Sequence, residues 1–261
     1  MVPITVLIAN RNNARFLRRC LDSVRRQTFP AGEILVVDDA STDESRELLR
    51  TYADAGTITL IENERQLGVA ASRAIGAASA RGRFLTTLDA DDFYFTSEKL
   101  AAEAALVDVR SQGTIAFSDV MRVDERGTEI GLVSNSRKIR EGNLFFDIRH
   151  LRGFIPRDYL VSREDYLRAG GYNREFKIYE DWDLKIRLAR FCVWRFSGVV
   201  GTAYTLNSKG LSKAPRRQHI EAMRRVFWAN CPAESPYARR LAFARFFVFQ
   251  SLYMRRPAAS L

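Results

Sequence analysis

Four short apolar runs recur along the first third of the chain: ITVLIAN at 4–10, EILVVDD at 33–39, TITLIEN at 57–63 and RFLTTLD at 83–89. Their length and their content of β-branched and apolar residues read as buried strands. The intervening stretches have helical spacing. Residues 13–27 place Phe16, Leu17, Leu21 and Val24 on one helical face, and 41–56 offer Ser41 or Thr42 as an N-cap, acids in the first turn and Gly56 as a stop. Residues 69–80 form a third helix of small side chains. Strands alternating with helices imply an α/β fold, an open and largely parallel sheet covered on both faces. Ligands of such sheets lie beyond the carboxyl ends of the strands. Asp38-Asp39 and Asp89-Ala90-Asp91-Asp92 both fall at such ends.

The second cluster is the more demanding. In FLTTLDADDFYF, residues 84–95, three carboxylates occupy four positions, with no Lys or Arg beside them in sequence to relieve the repulsion. A hard divalent cation held between carboxylates from two strands would relieve it. Each cluster also has a purely structural explanation, since an Asp at a strand end often caps the next helix, and Asp43 or Asp92 suits that task. For DDASTD the two explanations stand level; for LDADD a single cap accounts for one side chain of three. The EDWD stretch at 180–183 opens a further helix. Alone it fits a charged first helical turn. Trp182 suits either the apolar face of a sugar or an anchor in the core.

At 261 residues and 46% hydrophobic content, the chain has the means for one large packed domain, with or without an appendage. Cys20, Cys192 and Cys231 lie far apart, which argues against a disulfide framework or a zinc site and for a reducing cytosol. Neither a signal-peptide pattern nor a spanning run of about 20 apolar residues occurs, so the expected location is cytoplasmic. The net charge of +10 is concentrated: residues 207–261 hold 11 Lys+Arg against Glu221 and Glu234, or +9. A nucleic-acid reader would spread its basic residues over a folded groove, so nucleic acid is not an expected partner. Here they flank LAFARFFVFQSLYM at 241–254. That segment suits a helix lying on an anionic membrane surface, which would hold residues 232–261 at the inner face of the cell membrane. It equally suits a terminal helix packing its Phe side chains on the core.

The residues also carry a resemblance. VLIANRNNARFLRRCLDSVRRQTFPAGEILVVDDASTDES, GVAASRAIGAASARGRFLTTLDADD and GGYNREFKIYEDWDLKIRLA, in that order, resemble the successive blocks of family 2 glycosyltransferases of the GT-A fold, over nearly all of residues 3–206. The resemblance implies a GT-A domain at 1–206, with a nucleotide-sugar half at 1–118 and an acceptor half at 119–206, followed by a basic helical region at 207–261. It implies a nucleotide diphosphate sugar as donor, Mn2+ or Mg2+ as cofactor, and transfer with inversion. On that pattern Ala9, Asn10 and Arg11 lie against the donor, and Asp39 accepts from the uracil N3–H. Arg73 helps hold the nucleotide, Asp89 and Ala90 lie near the ribose and sugar, Asp91 ligates the metal and Asp181 is the catalytic base. Glu180 and Trp182 become candidates for the acceptor side. The missing Q-x-x-R-W block looks like an enzyme that adds one sugar.

The chemistry asks for the same parts. Cleaving a sugar from a diphosphate builds negative charge on the leaving oxygen, which a metal stabilises, and the attacking hydroxyl must lose a proton to a carboxylate within reach. Three departures from the family pattern stand out. Arg11 replaces a frequent Tyr, Ala74 a frequent Asn, and Asn207 in YTLNSKGLS takes the place of a frequent His. Lys209, Lys213, Arg216 or Arg217 offer substitute positive charge, or the stretch is a plain solvated linker. The two histidines, His150 and His219, sit in no metal-spaced cluster and read as structural or surface groups. A non-catalytic nucleotide-sugar scaffold on the same fold is the rival reading, and a nucleotidyltransferase is disfavoured because ANRNNAR lacks a phosphate-binding glycine. The acceptor is expected to be a glycan or a lipid-linked sugar of the kind used in surface polysaccharide or glycolipid synthesis.

Overall fold

The computed structural model describes residues 3–107, 113–136, 138–207, 214–231 and 243–244. Strand β1 (Ile4–Asn10) pairs in parallel with β2 (Glu33–Asp38) on one side and with β4 (Phe84–Asp89) on the other, and β3 (Thr59–Glu62) extends the sheet beyond β2. The connecting helices are α1 (Ala14–Arg25), α2 (Ser45–Asp54) and α3 (Val69–Ser79). Beyond β4 the sheet becomes mixed. β8 (Tyr159–Ser162) runs antiparallel to both β4 and β6 (Thr114–Val123); β6 pairs in parallel with β9 (Val193–Thr205), and the two-residue β5 (Phe93–Tyr94) lies along β9. β7 (Glu129–Leu132) folds back antiparallel on β6.

Alternation along the strands builds two cores. Ile4, Val6 and Ile8 of β1 join Ile34 and Val36 of β2 beneath Leu17, Leu21 and Leu49 of α1 and α2. Leu7, Leu35 and Val37 point to the opposite face, into a core shared with Ala77 of α3 and with Trp182, Leu184 and Ile186 of α7 (Glu180–Ala189). This is the period of two expected for strands buried on both faces. Gly76 lets α3 approach closely, since a Cβ there would meet Leu7 Cδ1 at 2.2 Å. The remaining helices are α4 (Lys99–Ala104), α5 (Phe145–Arg149), α6 (Arg163–Arg168) and α8 (Arg216–Ala229).

One helix boundary differs from expectation. Helix α2 begins at Ser45, one turn later than a Ser41 or Thr42 cap would place it. Those residues are held on the strand ends: Ser41 Oγ donates to Asp38 Oδ1 at 2.5 Å, the Thr42 amide donates to Asn12 Oδ1, and Asp43 accepts from the Ser45 amide. In the C-terminal region α8 buries Met223, Val226 and Phe227 against the main core, leaving Arg216, Arg217, Arg224 and Arg225 exposed. Phe243 continues that packing, its ring 5.1 Å from Trp228. Apart from 243–244, the proposed membrane segment at 232–261 lies outside the described residues, as do Lys209 and Lys213. Among the described residues, no helix is long and apolar enough to cross a membrane.

Candidate active site

Register places the acids on one edge. Asn10 lies opposite Asp38, and Ala9 opposite Asp89, so the carboxyl ends of β2, β1 and β4 are level. The chain runs outward from β1 through β2 to β3 and then returns to β4 on the other side of β1, and the crevice beyond such a reversal is where open α/β sheets bind ligands.

On the β2 side Asp39 is a buried carboxylate with an organising task. Its Oδ1 accepts from Asn63 Nδ2 at 2.9 Å and from the Leu67 amide at 2.7 Å, and its Oδ2 accepts from the Gly68 amide at 2.8 Å. Burial opposes the charge, but these donors outweigh it and hold the carboxyl below its ordinary value. Asp39, which Ser72 also supports by a side-chain hydrogen bond, thereby fixes the turn entering α3, where Gly68 has φ +93. Arg11 crosses the same edge, its Nη1 donating to the Asp39 and Ala40 carbonyls at 2.6 and 3.1 Å. Asn10 works from behind. Its buried amide donates to Asp38 Oδ1 and Ser41 Oγ, so it shapes the strand ends and does not present a free side chain to the crevice. The Ala90 methyl is likewise buried in the core, while Ala9 is half-buried.

On the β4 side one observation joins the predicted parts. Arg73 of α3 is almost fully buried and donates through Nη2 to Asp89 Oδ1 and through Nη1 to Glu180 Oε1, the latter at 2.6 Å. A guanidinium thus bridges the strand-end acid and the first turn of α7, where Asp181 stands next to Glu180. Asp181, whose side chain is 40% exposed, accepts from Lys185 Nζ at 2.7 Å, one helical turn on. Burial works against its charge, but Lys185, with Arg73 behind it, prevails and holds Asp181 down to about 2. Glu180 goes the other way. Burial raises it and the like charge of Asp181 adds to the effect, so despite Arg73 it is pushed up to about 7. The residue before this turn, Tyr179, has φ +67, a conformation disfavoured for an aromatic side chain. It is held there by a 3.0 Å contact of its hydroxyl with His219 Nδ1 of α8 and by edge packing on Trp182.

Trp182 corrects one expectation. Only 3% exposed, with Nε1 donating to the Ile148 carbonyl at 2.7 Å, it anchors α7 in the core and cannot offer an indole face to a sugar. Trp182→Phe keeps a ring but removes the shorter of that carbonyl's two hydrogen bonds, the other coming from the Leu151 amide at 3.3 Å. The expected result is a loss of about 0.5–1.5 kcal/mol in chemical denaturation with the acceptor KM unchanged; a platform would show the reverse.

The carboxylate repulsion has a second correction. Asp89, Asp91 and Asp92 offer ligand atoms within 4.8 Å of one another. Yet Asp89 and Asp92 have positive partners that sequence neighbours did not reveal. Arg157, just before β8, donates from Nη2 to Asp89 Oδ2 at 2.8 Å and to Asp92 Oδ2 at 2.5 Å. Asp92 also accepts from the Thr205 amide at 2.8 Å. Asp91 has a neutral partner, Asn207 Nδ2 at 3.1 Å, and burial followed by the charge of Asp89 raises its pKa. Asn207 is linked onward through Arg15 to Glu125. The donor set is three hard oxygen ligands, two of them, Asp91 and Asp92, with their charge penalised chiefly by burial, which fits Mn2+ or Mg2+ far better than a soft metal.

The first 166 residues decide the family. Glycosyl transferase family 2 matches residues 5–166, more than half of the chain. The chain belongs to this family. A relative in Mycobacterium tuberculosis, a PGL/p-HBAD biosynthesis glycosyltransferase, is 28% identical over 187 residues, 70% of this chain and 68% of that protein. Among solved structures, Staphylococcus aureus TarS (residues 1–349, in complex with UDP-GlcNAc) superposes with a TM-score of 0.73 at 18% identity, covering 94% of this chain and 71% of that one. GalNAc-T7 with UDP, GalNAc and Mn2+ gives 0.62 at 18% identity, over 82% and 45%. Those structural likenesses establish the GT-A fold. In this family 2 glycosyltransferase the acidic strand ends border the crevice beyond the carboxyl ends of the parallel strands.

Proposed function

We propose that this family 2 glycosyltransferase moves one sugar from a UDP-sugar to a hydroxyl acceptor with inversion, using a divalent metal. The observation that carries the reading is the buried Arg73 bridge, which couples Asp89 at the donor edge to the Glu180-Asp181 turn. Asp39, held ionised by its surrounding donors, accepts from the base; Arg11 lines the same edge beside Ala9. Asp91 would hold the metal with Asp89 and Asp92, and the ion would supply Lewis-acid stabilisation of the leaving diphosphate. Asp181 accepts the proton of the attacking hydroxyl. Lys185 keeps it ionised and oriented before the acceptor arrives, and displacement of the ammonium as the acceptor docks would restore its basicity. Glu180, held by Arg73, fixes the turn from behind. UDP as the nucleotide is supported by the fold neighbours solved with UDP-sugars or UDP, and manganese by the GalNAc-T7 complex.

The acceptor half is assigned to residues 119–206. A lipid-linked or glycolipid acceptor at the inner membrane face rests on the basic, Phe-rich sequence at 232–261. Loss of that segment should abolish sedimentation with anionic vesicles if this assignment holds.

The donor assignment is tested by thermal shift with UDP-, GDP- and dTDP-sugars, each with and without Mn2+. The true donor with Mn2+ should stabilise by about 2.7 kcal/mol at a concentration 100 times its Kd, and metal removal should erase most of that shift. A shift from GDP- or dTDP-sugars alone would overturn the UDP assignment, and equal shifts without Mn2+ would overturn metal dependence.

A further inference from the structure

Arg157 stands where a metal-binding cluster would ordinarily have no cation. Its Nη2 is shared between Asp89 Oδ2 and Asp92 Oδ2, two of the three carboxylates whose oxygens lie within 4.8 Å of one another. The guanidinium is seated from the other side by the Tyr204 ring, 4.1 Å from its centroid. Its side chain is 28% exposed, so it lies at the margin of the cluster and not beneath it. Its buried Nε–H has no hydrogen-bond partner among the described residues. An arginine placed for a purely structural ion pair normally uses its fork in full, and an unmet buried donor raises the energy of the present arrangement.

We propose that Arg157 is a built-in counter-ion that competes with the divalent metal for Asp89 and Asp92. The argument is one of charge and of lone pairs. Three carboxylates without arginines would present three negative charges to a dication. With Arg157 bridging two of them and Arg73 on Asp89, the local charge falls to about one negative charge, and the oxygens facing Arg157 are occupied. Asp91, whose partner is the neutral Asn207 amide, is left as the ligand open to the ion. The resting cluster is thus held together by its arginines without metal, and a metal alone is attracted only weakly. A diphosphate brings its own negative charge to the same place. It restores the attraction for the dication and offers Arg157 a competing anion, so that metal and donor bind together. Order of binding is in this way written into the acidic cluster, and the ion is not stripped from the medium by an enzyme with no donor to use.

This inference rests on reading the cluster as a metal–diphosphate site, and the test separates the two. Free Mn2+ is measured by electron paramagnetic resonance for the parent, Arg157→Gln and Arg157→Gln/Asp91→Asn, with and without UDP and with protein-free UDP blanks. Removing a unit charge beside the site should tighten binding of Mn2+ alone by about tenfold or more. The gain should vanish in the double variant. UDP should tighten Mn2+ binding strongly in the parent and much less in Arg157→Gln. Unchanged or weaker Mn2+ binding by a folded Arg157→Gln, while the parent binds Mn2+ with UDP, overturns the competition and leaves the metal-site reading standing. If no protein binds Mn2+ even with UDP, the metal-site reading falls and this inference with it. Should Arg157→Gln lack a cooperative melting transition, Arg157→Lys is read in its place. Its shorter side chain holds the ammonium back from the position between the two carboxylates that Arg157 Nη2 occupies, and Mn2+ affinity should rise at least about threefold; no rise overturns the proposal.

Discussion

Asp181→Asn is expected to lower sugar transfer by about 100- to 10,000-fold while the donor-induced melting shift stays as in the parent. The substitution preserves shape: an Asn oxygen in the same place still accepts from Lys185, so the turn before α7 and its packing should persist. What is lost is the charge that receives the proton of the attacking hydroxyl. Because Lys185 and Arg73 hold the Asp181 carboxyl down to about 2, it is ionised throughout the working range. An acid limb seen in transfer by the free parent enzyme near neutrality would therefore belong to another group. Transfer and nucleotide release should be followed side by side. Release of UDP at equal rates in parent and variant, with no glycoside formed by either, would sink the base assignment and favour a non-catalytic nucleotide-sugar scaffold on the same fold.

Arg73→Met is expected to cost about 3–5 kcal/mol of folding stability, because it leaves two carboxylates that shared a buried guanidinium without their cation. The pH dependence gives this prediction its signature. Glu180 is raised from 4.5 in the unfolded chain to about 7 in the folded one, so between those values the folded state holds a proton that the unfolded state has lost. Its contribution is therefore complete below 4.5 and disappears as pH rises through 7. Asp89 has the opposite sign: burial opposes its ionisation, but Arg73 and Arg157 lower it, and its contribution is lost on acidification. Without Arg73 both acids become harder to ionise in the folded state. The deficit relative to the parent should thus be small in acid, where both are protonated, and widen as pH rises through neutrality. Urea titrations across that range measure it, and adding Glu180→Gln to Arg73→Met should recover part of the loss at high pH. A deficit independent of pH would show that Arg73 acts by packing against the Tyr172 ring, whose centroid lies 5.7 Å from its guanidinium, and not by charge.

Much of the donor side was legible because its signals are local. The period-two strands, the helical spacing of Phe16, Leu17, Leu21 and Val24, and acids at the strand ends each require only short stretches of chain. The i,i+4 spacing of Asp181 and Lys185 was equally available, and it is the one missed partner that helical periodicity would have supplied. Asn63, whose amide supports Asp39, and Arg157 gave no such sign. Arg157 is separated from Asp89 by 68 positions and from Asp92 by 65, and it reaches them only because β8 runs antiparallel beside β4. Trp182 shows the same limit in reverse: its helix was readable, but whether the indole faced a sugar or the core depended on where α5 ends, since the Ile148 carbonyl is its partner.

Sequence alone settles the α/β alternation, the family and the identity of the acids, because strand and helix periodicity and short motifs are properties of neighbouring residues. Only the folded chain decides how the acids are neutralised: Arg73 between Asp89 and Glu180, Arg157 between Asp89 and Asp92, and Lys185 on Asp181. The reason is physical. The electrostatics of a carboxylate depends on what lies within a few ångströms of it in space, and most of these charges are brought together by strand pairing and helix packing between segments remote along the chain.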